Sequence, residues 1–318
     1  MMTTSFDEHS TTEDVLGTID LAGKRVLVTG VSSGLGVETA RALSAHGATV
    51  VGAARDIAKA RRALDAAGAT AVEVISLDLA SLESVRACAD GLVADGRLFD
   101  LVICNAGVMA APFGHTADGF ETQFGTNHLG HFVLVNRIAE LIAPGGRLVN
   151  VASSGHRFSD VDLVDPGFEH TPYDPWAAYG RSKTANVLFS VEFDRRHKGR
   201  GVRAAAVHPG GIQTELARHM GDDALEGMIE QINVEQAAQG QPLFAWNTVP
   251  QGAATSVWAG VVAPADDVGG RYCENCHVSA LIDDTGGMVR EGVRAYALDP
   301  ERAKALWAMS EEMVGERF

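Results

Sequence analysis

Lys24-Arg25-Val26-Leu27-Val28-Thr29-Gly30-Val31-Ser32-Ser33-Gly34-Leu35-Gly36 is the stretch on which the fold turns. The unbroken apolar run at 26–28 reads as a strand buried on both faces. A helical pattern follows at 35–46, with Gly47 as its stop. Between them Gly30, Gly34 and Gly36 let the chain turn sharply, bring its backbone close to a pyrophosphate and aim a helix N-terminus at it. The spacing is Thr-Gly-x-x-x-Gly-x-Gly rather than the commoner Gly-x-Gly-x-x-Gly. A dinucleotide site is expected here, although glycines alone also fit a plain tight turn.

The same alternation continues outward. Strand patterns at 49–53, 72–77, 99–104, 147–152 and 202–207 are interleaved with helical patterns at 56–67, 81–94, 117–143 and 175–197. Ser81 is placed as an N-cap, and Pro144-Gly145-Gly146 as a helix stop. This rhythm predicts an α/β fold, a doubly wound parallel sheet covered by helices on both faces. Residues 1–20 read as a polar arm and 21–318 as one dinucleotide-binding and catalytic domain. The rhythm breaks in a mixed segment at about 214–247, which carries Leu216, Met220, Leu225, Met228, Ile229, Phe244 and Trp246. Beyond it, 250–261 is helical in pattern, 271–273 is a short last strand, and Asp299-Pro300 opens a terminal helix presenting Leu306, Met309 and Met313.

The end of the second strand should meet the adenosine ribose. An acidic residue there would bond both hydroxyls, but Ala54 holds the place and Arg55 follows. Arginine suits a 2′-phosphate by charge and by its forked donors, so NADP is favoured over NAD. Ser32 and Ser33 offer hydroxyl contacts, and Asp56 stays open as an alternative ribose acceptor. Asp78-Leu79 closes the third strand against the adenine, and Asn105-Ala106-Gly107 closes the fourth with residues small enough for close approach.

Asp174-Pro175 reads as a helix start, which places Tyr179 and Lys183 one turn apart on a single face. A tyrosine with a pKa of about 10 is a poor base near neutrality. An ammonium at about 5 Å in an effective dielectric of about 20 favours the phenolate by about 3 kcal/mol, on the order of two pKa units. Tyr179 then becomes a general acid/base. Ser153, at the end of the fifth strand, is positioned to hold the substrate oxygen, with Ser154 as its competitor. Asn127 is placed to anchor a water that touches Lys183.

The chain has 318 residues with 26 basic and 41 acidic side chains, a formal charge of −15. That charge argues against nucleic acid and anionic membranes as partners. No apolar run reaches the length of a membrane span. The first twenty residues hold five acids and no Lys or Arg, unlike a secretory or mitochondrial signal, so a cytoplasmic protein is expected. Cys88 and Cys104 sit in apolar patterns. Cys273-Glu274-Asn275-Cys276-His277 has the spacing of c-type haem attachment. Without export or further ligands it is read as a structural loop, with a redox-sensitive thiol pair as the alternative. No metal site is expected.

These motifs together resemble the short-chain dehydrogenase/reductase family over roughly residues 20–300. The resemblance rests on Thr29-Gly30-x-x-x-Gly34-x-Gly36, Asp78, Asn105-Ala106-Gly107, Asn127, Ser153, Tyr179-x-x-x-Lys183 and His208-Pro209-Gly210-x-x-x-Thr214. Thr126-Asn127-His128-Leu129-Gly130-His131-Phe132 is most similar to its retinol-dehydrogenase-like branch. The resemblance implies a Rossmann-like sheet of about seven strands and a tetrad of Asn127, Ser153, Tyr179 and Lys183. It also implies coenzyme contacts from Leu35 in the glycine turn, from Tyr179 and Lys183, and from Pro209, Gly210 and Thr214 at the carboxamide end, and a homodimer or homotetramer. Cys104 stands where the family usually has Asn, and Ser33 where many NADP members have a basic residue. The segments 155–176 and 214–247 would cover the substrate. Their aromatic and apolar residues point to a small-molecule hydrophobic alcohol or ketone. A redox sensor without turnover, and a dehydratase or epimerase using transient hydride transfer, are the rival readings.

Overall fold

The computed structural model describes residues 6–216, 222–238, 240, 243–283 and 291–318. Its centre is a sheet in the order β3-β2-β1-β4-β5-β6-β7-β8. The first seven strands are parallel: β1 (Arg25–Thr29), β2 (Thr49–Ala54), β3 (Glu73–Ser76), β4 (Phe99–Cys104), β5 (Ile142–Val151), β6 (Arg203–His208) and β7 (Arg271–Glu274). The two-residue β8 (His277–Val278) adds an antiparallel eighth strand to the seven expected. The order reverses at β1, which pairs with β2 on one side and β4 on the other. A crevice opens beyond the carboxyl ends of strands at such a reversal.

Period-two alternation sends β1 side chains to opposite faces. Val26 and Val28 join one core, with α2 (Gly34–Ala45), α3 (Ile57–Ala66) and α9 (Val249–Val257). Leu27 joins the other, with α4 (Leu82–Asp95), α6 (Gly130–Arg137), α7 (Pro175–His197) and α11 (Pro300–Val314). Both faces of the sheet are covered by apolar cores, which is why Val26–Val28 of β1 and Leu101–Cys104 of β4 read as continuous apolar runs. Among the described residues no helix is long and apolar enough to cross a membrane.

Three sequence expectations need correction. The long helix at 117–143 is shorter: Glu121 caps Thr122–Phe124 by accepting from the Gln123 and Phe124 amides, and the helix continues through a π turn, Gly125–Leu129, to end at Arg137. Pro144-Gly145-Gly146 does not stop it. Phe99 pairs with Ile142, so the chain has already entered β5, and the three residues form an irregularity before Leu101 meets Arg147. The polar arm contains α1 (Thr12–Leu16), whose Val15 and Leu16 are buried in the core beneath α9. Of the apolar residues singled out at 214–247, Met220 lies outside the described residues, as do the side chains of Leu225 and Met228. The described part includes α8 (Asp222–Ala238).

The Cys-x-x-Cys spacing is a hairpin. Asn275 and Cys276 have φ of 51° and 56° and form the tight turn between β7 and β8. Burial pushes the Cys273 and Cys276 thiols up to about 12 and about 11, which favours the inert thiol over the reactive thiolate.

Gly130 marks the closest approach of α6 to the sheet end. A Cβ there would lie 2.5 Å from the Leu79 carbonyl oxygen. Gly130→Ala gains about 1 kcal/mol of helix propensity but forces the backbones apart, and a net loss of about 1–2 kcal/mol is expected. Urea unfolding checks this; an unchanged or higher midpoint would refute the packing argument.

Candidate active site

The crevice at the β1/β4 reversal is a cleft of about 360 Å³, inside the range of about 300–1,000 Å³ usual for small-molecule sites. Gly30, Ser32, Ser33, Gly34, Leu35, Arg55, Asp78, Leu79, Asn105, Ala106, Gly107 and Thr214 all line it. Gly36 lies behind the wall, where a Cβ would meet the Gly30 carbonyl oxygen at 2.3 Å. Gly30 and Gly34 have φ of +80° and +56°, so the turn demands glycine there. Asp56, Ser81 and Asp174 accept backbone N–H bonds at the starts of their helices, whereas Ser33 makes no such bond to α2. The first amides of α2 therefore remain available to an anion at the glycine turn. These features fit a dinucleotide.

The far wall is tied to the glycine turn through Thr29. Its Oγ1 accepts from the amides of Asn105 and Ala106, each at 3.0 Å. With both lone pairs used, its proton goes to His131 Nε2 at 2.9 Å. His131 Nδ1–H then donates to the Asn127 carbonyl at 3.0 Å. Asn127 clamps Val108, accepting from its amide at 2.8 Å and donating to its carbonyl at 2.9 Å, and also donates to Ser182 Oγ. The side-chain Nδ2 of Asn105 closes the turn by donating to the Thr29 carbonyl. None of this network was visible in the chain alone, because its partners are brought together by the sheet.

Tyr179, Ser153 and Lys183 do not line the cleft; they sit behind its Gly107 end. A Cβ on Gly107 would lie 3.1 Å from Asn127 Oδ1 and 3.6 Å from Lys183 Nζ. Lys183 Nζ donates to the Val151 carbonyl at 2.9 Å and lies 5.6 Å from the Tyr179 ring centre. The Tyr179 ring packs on Gly155, next to Ser153, whose Oγ accepts from the Gly155 amide. Ser154 instead directs its amide to His208 Nδ1. His156, fully buried, donates from Nδ1 to the Ser153 carbonyl and accepts the Arg294 amide at Nε2.

The expected depression of the phenol is not found. Burial pushes Tyr179 up to about 12, only partly offset by its bond to Ser153. Burial likewise lowers Lys183 to about 8. Both shifts have one cause, the cost of charge in a dry site, and here it exceeds the attraction between ammonium and phenolate.

Other expectations are met unevenly. Asp56 also lines the cleft, and its Oδ1 caps α3 by accepting the Lys59 amide at 2.8 Å. Pro209 and Gly210 do not line the cleft, and Gly210 instead packs on Asn247. Lys59, Val108 and Glu215 line it without having been singled out, and Thr126 and Leu216, read from the sequence in other roles, line it too. Lys59 lies in the first turn of α3, three residues after the Asp56 cap, a position at the coenzyme end of the helix that could have flagged it.

Three comparisons bear on this arrangement. A family model described as short chain dehydrogenase matches residues 24–225. The chain is 42% identical to the "Probable oxidoreductase" of Streptomyces lividans over 91% of its length and 97% of the relative. It is 35% identical to the WW domain-containing oxidoreductase of Homo sapiens, over 98% of this chain and 73% of that one. Among solved structures, an uncharacterized protein from Mycobacterium paratuberculosis superposes with a TM-score of 0.74 at 34% identity, covering 96% of this chain and 98% of that one.

Burial also sets an acid limit. His128, His131 and His156 are held neutral, at about 3, 4 and 3, each chiefly by burial. Unfolded, they would take protons near pH 6.5, so the stability they share is present above that pH. It is lost as pH falls toward the folded values, by up to about 1.4 kcal/mol per pH unit for each imidazole. The buried carboxyls of Glu121 and Glu274, raised by burial, work in the opposite sense. A net fall in urea midpoint from pH 7.5 to 5.5 is expected; a flat or rising midpoint would contradict it.

Proposed function

The chain belongs to the short-chain dehydrogenase/reductase family, and on that footing we propose that it transfers a hydride between NADP(H) and a bulky hydrophobic secondary alcohol or ketone. The observation that carries this reading is the junction at Gly107, which lines the coenzyme cleft and abuts Lys183 and Asn127. The bound coenzyme supplies the carbon that gives or takes hydride. The chain's own groups handle the oxygen.

Ser153 Oγ holds the substrate oxygen, and Tyr179 exchanges its proton. With its phenol at about 12, Tyr179 is protonated at pH 7 and poised to donate to a developing alkoxide. Alcohol oxidation requires the phenolate, so it needs the Lys183 charge. Lys183, at about 8, is largely charged at neutrality. Asn127 keeps Val108 and Ser182 fixed around that ammonium. Water is kept from the phenol by rings. Trp176 meets Tyr179 edge-on at 6.4 Å and Phe158 at 5.5 Å. Phe158, after β5, and Phe113, after β4, are exposed large apolar side chains, which supports an apolar substrate over a charged one.

The coenzyme preference rests on Arg55, which follows Ala54 and lines the cleft where an acid would serve NAD; Asp56 lines it too, with its Oδ1 capping α3.

Tyr179→Phe is expected to leave NADPH binding nearly intact and to cut turnover of a hydrophobic ketone by about 10²–10⁴-fold. Normal activity in that variant would remove the acid/base role. Arg55→Ala is expected to weaken NADPH by about tenfold and NADH far less. Equal losses, read by fluorescence titration, would remove the phosphate role.

A further inference from the structure

Lys59 and Glu215 face each other across the coenzyme cleft. Lys59 projects from the first turn of α3, after β2, and Glu215 from the segment that follows β6. They are 156 residues apart in sequence, yet Lys59 Nζ reaches Glu215 Oε2 at 2.5 Å, and both line the cleft beside Arg55. Asp56 also lines this end, with its Oδ1 accepting from the Lys59 amide. Arg55 and Lys59 form the cationic end of the cleft, and one of the two already has a carboxylate on it.

The pair is solvent-exposed, 41% and 54% for the two side chains, and exposed ion pairs give way easily. A phosphate monoester carries close to two negative charges and three acceptor oxygens. On entering this end it outbids one carboxylate for Lys59, and the displaced carboxylate is then a like charge nearby. We propose that Glu215 is a specificity-determining residue that competes with the coenzyme 2′-phosphate for Lys59, and so lowers the preference for NADP(H) over NAD(H). This rests on the NADP(H) reading above. The competition also reaches the wall of the site, because Thr214, next to Glu215, packs against Gly34 of the glycine turn.

The test is calorimetric or fluorescence titration of NADPH, NADH and adenosine 2′,5′-bisphosphate into wild type, Glu215→Gln, Lys59→Gln and the double variant. Glu215→Gln is expected to tighten NADPH and the bisphosphate by about three- to tenfold, and to move NADH less than about twofold. Lys59→Gln should weaken the two 2′-phosphate ligands, and the double variant should match Lys59→Gln alone. Weaker binding of all ligands by Glu215→Gln would make the ion pair a strap over the coenzyme and overturn the proposal. So would equal effects on NADPH and NADH, no effect at all, or a gain that persists without Lys59. The wild-type ratio of NADPH to NADH affinity tests the coenzyme reading separately. If wild type prefers NADH, that reading fails, yet a Lys59-dependent gain in bisphosphate affinity still upholds the competition, and its absence overturns it.

Discussion

The hydroxyl of Thr29 is the constraint on which the site depends. It sits at the end of β1, where the strand order reverses, and it is saturated: two amides from the end of β4 donate to it, and it donates to His131. Such an arrangement fixes three things together. It closes the crevice between β1 and β4, it selects one tautomer of a buried imidazole, and through that imidazole it holds the carbonyl of Asn127 at the π turn. A methyl in place of the hydroxyl would take the acceptor from two part-buried amides, and amides away from water are costly to strand. The glycine turn on one side and the Asn127 clamp on the other are therefore parts of one hydrogen-bonded unit.

Burial governs the chemistry of that unit as much as charge does. A phenol and an ammonium one turn apart look from sequence like a pair that ionises the phenol. Folded, both lie in a dry environment that disfavours charge on either, and Lys183 directs its proton to the Val151 carbonyl. The result is a protonated Tyr179 and a lysine whose charge is easily changed. Attraction between the two grows only when something else, such as substrate oxygen or coenzyme, favours the ionised phenol. On the proposed acid/base role, a site tuned in this way withholds its base until it is filled.

Local signals made much of this legible. The cap Asp174, Pro175 and the length of α7 were readable because helix ends are set by neighbouring residues, and the observed helix spans Pro175–His197 as expected. The glycine turn was readable because positive φ has one common solution. What could not be read depends on distant pairing. The helix at 117–143 was overextended because the Phe99–Ile142 pair, which draws the chain into β5, joins residues far apart. The acidic N-terminal segment hid Val15 and Leu16, whose partners lie on α9. The phenol's acidity was misjudged because helix spacing reports the distance to a charge and says nothing about burial.

The charge on the whole molecule gives the cleft its last problem. At −15 the protein repels a polyanionic coenzyme at long range, and screening limits that repulsion to about 8–10 Å at ordinary ionic strength. Within that distance the balance is local. The amides of α2, Arg55 and Lys59 attract, while Asp56, Asp78 and Glu215 also line the cleft. The attracting groups reside on the β1–α2 and β2–α3 connections, which are held by the sheet. Glu215 resides on the connection after β6, which also bears Thr214 and leads toward α8. Attraction and repulsion thus share the end of the cleft that follows β2 and β3, and Glu215 adds a carboxylate from the connection after a strand on the opposite side of β1.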